Sequence, residues 1–316
     1  MSMLFEAKAR GKLLVSAEYL VLRGALALAL PTRPGQSLRV TAHPEAPGHL
    51  LWRAYDHAGA LWMEADFSLP DLRIVEHSGA SPDRLRSMLI HALTERPDWL
   101  SPQSGYLAET RLDFPGEWGL GSSSTLTALI GWWSGVDPYA LLGVGFGGSG
   151  YDVACAFADG PILYRLEAGG GRFTQPAPEF APPFKDGLLF VFLGQKQDSR
   201  EAMAQFNALA PTDLAPIIRQ ADALTIRARS ARSLAEFAAF VTEHEWLLSR
   251  VLGMPPLKER LFADYPGALK SLGAWGGDFA LATSGDPDAA RRYFAEKNLQ
   301  TVFGWDELIH TAAPLV

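Results

Sequence analysis

The residues best equipped for chemistry in this 316-residue chain lie in the segment Phe114-Pro115-Gly116-Glu117-Trp118-Gly119-Leu120-Gly121-Ser122-Ser123-Ser124-Thr125, where glycines and three serines open a helical pattern. Glycine reaches backbone conformations closed to other residues and lets a ligand approach the main chain. The first N–H groups of a helix, in turn, have no partner within it. A phosphate supplies the missing acceptors, the serine hydroxyls add hydrogen bonds, and one of them can reach a magnesium ion held by that phosphate. The same segment also reads as an ordinary serine cap after a turn.

A second cluster, Gly147-Gly148-Ser149-Gly150-Tyr151-Asp152-Val153-Ala154, sets an acid between a flexible turn and apolar residues. A carboxylate held there can accept a proton from a substrate hydroxyl or orient it for attack, and it can equally cap the segment that follows. Gly143, Gly145 and Gly148 satisfy the spacing of a dinucleotide-binding turn, with Glu167 at the distance of a ribose-binding acid. That motif requires a strand directly before it, and only Tyr139 to Leu142 precedes it. In Gly11 to Gly24 a single Lys12 and a single Glu18 stand in an apolar, strand-like run. Six residues apart on a regular strand, they point to one face, where an anionic ligand or Asp152 can pair with Lys12; a lysine snorkelling at a strand edge is the plainer reading. Lys196-Gln197-Asp198-Ser199-Arg200 follows an apolar strand and reads either as a ligand site or as a helix cap. Lys270 to Asp278 is a further glycine-rich loop, which either closes over a ligand or simply connects two elements.

The elements that must position these residues mix strands and helices without regular βαβ alternation, which predicts an α+β fold. Strands are expected between Lys12 and His43, and a hairpin over Leu50 to Phe67 hinged on Asp56-His57-Ala58-Gly59. Helices are expected over Pro82–Leu93, Ser122–Trp133, Ser199–Leu209, Leu214–Arg229, Leu234–Leu252 and Pro287–Asn298, and strands over Tyr106–Phe114, Ile162–Leu166, Leu188–Leu193 and Phe279–Thr283. The Gly- and Pro-rich stretch after residue 168 divides the chain into expected domains 1–168 and 184–316. Apolar residues make up 48% and charged ones 20%, enough for a proper core. With 28 Lys+Arg against 35 Asp+Glu, a formal charge of −7 and no dense basic run, nucleic acid is not an expected partner. No apolar stretch is long enough to span a membrane. Cys155 is the single cysteine, so no intrachain disulfide can form, and a reducing cytoplasm is the expected compartment.

Taken together and in order, these segments resemble the GHMP kinases, the family of galactokinase, homoserine kinase, mevalonate kinase and phosphomevalonate kinase. Gly11 to Gly24 resembles the first motif, Pro115 to Ser124 the phosphate loop, and Lys270 to Asp278 the third motif. Gly150-Tyr151-Asp152-Val153-Ala154 resembles the signature of a bacterial subgroup named for Gly-Tyr-Asp-Ile-Ala, in which the Lys-Gln-x-Ser-Arg string also recurs. The resemblance implies an N-terminal domain like the second domain of ribosomal protein S5, a ferredoxin-like C-terminal domain, and ATP with magnesium as cofactors. It implies that Gly119, Leu120, Gly121, Ser122, Ser123 and Ser124 hold the ATP phosphates and that Ser123 ligates magnesium. Asp152 would be the base or hydroxyl-orienting carboxylate, and Lys12 would lower its pKa and offset charge on the transferring group. Glu18, Ser149, Lys196, Arg200 and Lys270 would meet a small hydroxy-acid or phosphorylated-acid substrate, the three cations neutralising its anionic groups.

Glu18-Tyr19 looks closer to phosphomevalonate kinase than to mevalonate kinase, which makes 5-phosphomevalonate the expected acceptor and mevalonate the alternative. A homodimer is compatible with the resemblance. Ala17, Ser124 and Trp275 depart from the family's pattern, and Leu141 stands where mevalonate kinase carries a metal-binding Glu, leaving Glu18, Asp137 or water as the second magnesium ligand. A ligand sensor that binds nucleotide without turnover is the competing reading, and the retention of both Lys12 and Asp152 argues against it.

Overall fold

Strand β3 (His49–Tyr55) alternates half-buried and buried residues, so Leu50, Trp52 and Ala54 share one face. β4 (Leu61–Ser68) returns antiparallel with Met63, Ala65 and Phe67 inward, around a turn in which Asp56 Oδ1 accepts from the N–H groups of Ala58 and Ala60. This is the hairpin expected from the sequence. The computed structural model describes residues 2–177, 180–194, 206–273 and 278–311, and the chain in it divides into two compact units.

The first unit comprises Met1–Gly11, Pro34–Gly116 and Leu120–Phe157. Its strands run in the order β5 (Arg73–Gly79), β4, β3, β6 (Tyr106–Leu112), β2 (Ala27–Ala42), and β1 (Met3–Leu14) also pairs with β2. β3 and β6 are parallel, whereas β2 with β6, β3 with β4 and β4 with β5 are antiparallel. Helices α1 (Asp83–Glu95), α2 (Ser122–Ser134), α3 (Pro138–Gly145) and α4 (Tyr151–Ala156) pack on one another, and Leu38, Val40, Trp52, Phe67, Met88, Leu89, Ile130 and Leu141 fill the core. β5 is almost wholly exposed, which is why no apolar pattern announced it.

The second unit comprises Lys12–Arg33, Glu117–Gly119 and Ala158–Val316. Ala27–Ala29 of β2 pairs with β7 (Ile162–Leu166), and β7 with β8 (Arg172–Pro176), a strand lying inside the Gly- and Pro-rich stretch that marks the expected domain boundary. A separate antiparallel sheet has the order β10 (Leu269–Leu272), β11 (Phe279–Thr283), β9 (Leu188–Phe192), β12 (Val302–Gly304). Helices α5 (Pro211–Ser230) and α6 (Leu234–Leu252) pack together, and α6 lies against β10. α7 (Leu257–Leu261), α8 (Pro287–Glu296) and α9 (Trp305–Leu308) complete it, with Asp286 capping α8 by accepting from Ala289 N at 2.9 Å. The expected helix over 199–209 falls largely outside the described residues. Among the described residues no helix is long and apolar enough to cross a membrane.

Candidate active site

In the first unit, α2 begins on Gly121, whose φ of +92° is left-handed, so a side chain there would be strained. The first helical bond runs from Thr125 N to Gly121 O at 3.0 Å, which leaves the N–H groups of Ser122, Ser123 and Ser124 with no acceptor in the helix. The hydroxyls divide into two sets. Ser124 Oγ is buried and donates to Gly121 O, Thr125 Oγ1 donates to Ser122 O and to Gln36 Oε1 of β2, and Thr127 Oγ1 donates to Ser123 O. These fasten the helix start to itself and to the sheet. Ser122 and Ser123 are half-buried, and among the described residues their hydroxyls have no hydrogen-bond partner.

α4 also opens on a left-handed glycine, Gly150 at φ +92°, and packs directly on α2. Asp152 sits in its first turn, half-buried, with Oδ1 accepting from Val153 N at 3.0 Å. Ser149 is buried just before it. The fold thus brings together, in one unit, the serine-capped helix and the carboxylate that sequence reasoning paired. Gly143 and Gly145 lie within α3, so a helix stands where a dinucleotide turn needs a strand, and the dinucleotide reading falls. Leu141 is a core residue, and Asp137 is exposed, capping α3 through Tyr139 N at 3.0 Å.

The second unit corrects the reading of Gly11 to Gly24. β1 ends at Leu14, and the chain then turns through Ala17 and Tyr19, both at positive φ, into a short 3-10 helix over Leu20–Arg23. Lys12 and Glu18 therefore do not share a strand face. Lys12 Nζ donates to Gly119 O at 2.7 Å, at the start of the glycine-serine segment. Gly119 has φ +65°, and the carboxylate of Asp278 occupies the space that a Cβ would need.

Glu18 and Lys270, both expected at the substrate, are instead taken up by each other. Lys270 is fully buried, its ammonium bound by Glu18 Oε1 and by its neighbour Ser271's carbonyl at 2.6 Å. Burial raises the Glu18 carboxyl above its usual range against the pull of Lys270. His244 and Glu245 of α6 complete the cluster. His244 Nε2 accepts from Ala17 N at 2.8 Å, and burial, then the charge of Lys270, hold the ring well below its ordinary pKa. Glu245 accepts from Leu257 N, Ser271 N and Ser271 Oγ at 3.1–3.3 Å, and burial pushes it up to about 7. A cavity of about 220 Å³ lined by Thr242, Trp246, Pro256 and Leu269 reaches it.

Further along the turn, Leu26 N donates to Asp222 Oδ1, Ser16 and Thr225 share a hydroxyl bond of 2.8 Å, and Thr225 donates to Leu26 O. None of His244, Glu245, Asp222 or Thr225 was singled out from the sequence. The signal that existed was a polar pair, His244-Glu245, on the apolar stripe of α6 between Phe240 and Leu248. Lys196, Arg200 and residues 274–277 lie outside the described residues.

No family model matches the sequence, and no curated protein is found to match it. Solved structures do match. A mevalonate kinase aligns with a TM-score of 0.70 at 13% identity, over 98% of this chain and 100% of that one. The Streptococcus pneumoniae phosphomevalonate kinase, in complex with phosphomevalonate and AMPPNP, aligns at 0.68 and 18% identity over 95% of this chain and 100% of its own. Lactococcus lactis galactokinase complexed with galactose aligns at 0.63 and 13%, over 98% and 95%. At these identities the likeness is one of fold, and the chain has the α+β fold of the GHMP kinases.

Proposed function

We propose that this chain is an ATP-dependent kinase that transfers the γ-phosphoryl group to a small acid of the mevalonate pathway, with 5-phosphomevalonate the favoured acceptor. The observation that carries the reading is the packing of α2, whose Ser122 and Ser123 hydroxyls have no partner among the described residues and whose first-turn N–H groups have no acceptor in the helix, against α4, which carries Asp152. The first-turn N–H groups of Ser122 to Ser124 bind phosphate oxygens, with the positive end of the helix favouring the charge. Ser124 contributes only its backbone, since its hydroxyl is bound to Gly121. Lys12, anchored on Gly119 O, brings a fixed positive charge to the head of the segment.

The magnesium ion of this reading would arrive on the nucleotide and keep most of its water. Ser123, with a spare hydroxyl in the first turn, is the residue that fits it. Bound Mg-ATP supplies the phosphoryl group and the counter-charge to it. A hydroxyl acceptor requires Asp152 to take its proton. A phosphate acceptor is already ionised, and there Asp152 orients the acceptor.

A phosphoryl-transfer screen of mevalonate, 5-phosphomevalonate, homoserine and simple sugars with Mg-ATP tests this. Turnover of 5-phosphomevalonate that is lost in Asp152→Asn supports the reading, and turnover of mevalonate alone moves the acceptor. Tight nucleotide binding with no turnover on any acceptor replaces the kinase with a sensor.

A further inference from the structure

The turn that follows β1 is built against local preference. Ala17 and Tyr19 adopt φ of +63° and +61°, where a Cβ is disfavoured, with no glycine to ease either position. Inside the turn Leu20 N donates to Glu18 O at 2.7 Å and Val21 N to Ala17 O at 2.9 Å, so the carbonyls find local donors. The Ala17 N–H leaves the turn for an acceptor in the same unit, His244 Nε2, 227 residues away in sequence. A ring nitrogen that accepts carries no proton, so a neutral ring bears its hydrogen on Nδ1. That atom is buried with no hydrogen-bond partner among the described residues. Around the ring stand Phe240 of its own helix at 5.5 Å between centroids, Glu18 of the turn with Oε2 3.6 Å from Nε2, Lys270 of β10, and Glu245 next in sequence. An imidazolium would set a donor against the Ala17 N–H and a positive charge near Lys270.

We propose that His244 is a positioning residue, a neutral hydrogen-bond acceptor whose Nε2 locks the Ala17–Tyr19 turn in its left-handed form and so delivers Glu18 to Lys270. The clamp joins the turn after the Lys12 strand to β10, the strand that carries Lys270. Only its catalytic consequence rests on the kinase reading, because the lock itself is a property of the folded chain.

The test uses the full-length folded protein. Long-range ¹⁵N correlation spectra of the seven histidines, with His244 assigned by its absence in His244→Gln, should show the Nδ1–H tautomer with no titration from pH 5.5 to 8. An Nε2–H tautomer, or an imidazolium in that range, overturns the proposal. Exchange of the Ala17 amide should quicken about tenfold or more in His244→Leu, which has no acceptor, and return to within a few-fold of the wild type in His244→Gln, whose carbonyl can stand in for Nε2. Equal exchange in the two variants overturns it. If His244→Leu does not fold, Ala17→Gly in the same background should restore folding, since glycine tolerates the left-handed turn; failure to do so counts against the lock. These readings need no substrate. A wild type that never turns over while they hold would remove the kinase and leave the lock, whereas a kinase whose kcat is unchanged in His244→Leu would remove the positioning role.

Discussion

Glu245→Gln should change how folding stability depends on pH, and the size of the change follows from the burial of the site. Glu245 is 1% exposed, and its carboxyl is pushed up to about 7 from an ordinary 4.5 because burial outweighs the pull of Lys270. A carboxyl whose folded pKa lies above its unfolded one holds its proton more tightly when folded. Its contribution to stability is therefore full below about pH 4.5 and is lost as pH rises through about 7. A gap of about 2.5 pH units at about 1.4 kcal/mol each comes to roughly 3.5 kcal/mol. His244 works in the opposite sense: its folded pKa is depressed, so the penalty for charging it fades as pH climbs to its ordinary 6.5. The wild-type curve mixes the two, and the difference between wild type and Glu245→Gln isolates the first. Glutamine can still accept from Leu257 N but turns an amide toward Ser271 N, so the variant starts less stable at pH 5 by roughly 1–3 kcal/mol. That deficit should shrink by roughly 2–3 kcal/mol between pH 5 and pH 8, as only the wild type pays for ionising the buried carboxyl. Urea midpoints at pH 5, 6, 7 and 8, compared at equal m-values, read it directly. A deficit constant across that range would refute the reasoning.

Three further perturbations probe the site and its supports. Asp152→Asn keeps an acceptor for Val153 N, so the melting temperature should hold while turnover falls roughly 10²–10⁴-fold; retained turnover removes Asp152 from the chemistry. Gly119→Ala adds a Cβ at a positive φ and into the Asp278 carboxylate, and should cost about 1–2 kcal/mol in thermal unfolding and weaken AMPPNP binding in calorimetry. Adding Asp278→Ala should recover the steric share and leave the backbone share. Lys270→Met strands Glu18 as an unpaired buried charge and should cost roughly 3–5 kcal/mol, much of it returned by Glu18→Gln in the same chain; a loss under about 1 kcal/mol would show that water reaches the pair.

The parts of this molecule legible from sequence are those whose own residues decide them. Leu234–Leu252 buries one stripe, Phe279–Thr283 is apolar up to its last residue, and Asp56 and Gly59 close their hairpin with bonds that run only a few residues. Strands such as β8, exposed along its whole length, and β12, three residues long, carry no such signal and exist because a neighbour pairs with them. The Gly11–Gly24 run misleads for a related reason. Its apolar residues continue past Leu14 without a glycine or proline to mark the bend, and the bend is held by Thr225, Asp222, His244 and Lys270, all nearly 200 residues or more away. Lys270 shows where the inference from a single residue ends. The sequence sets it in a glycine-rich loop, and the resemblance sets it against a substrate anion; it lies instead in β10, fully buried, where a charge requires a partner. Periodicity cannot say whether the anion arrives with a substrate or belongs to the chain, and here it is Glu18, 252 residues earlier. Ser122 and Ser123 pose the converse case: their hydroxyls lack partners among the described residues, so of the polar groups the sequence nominated, these retain unspent capacity for a ligand.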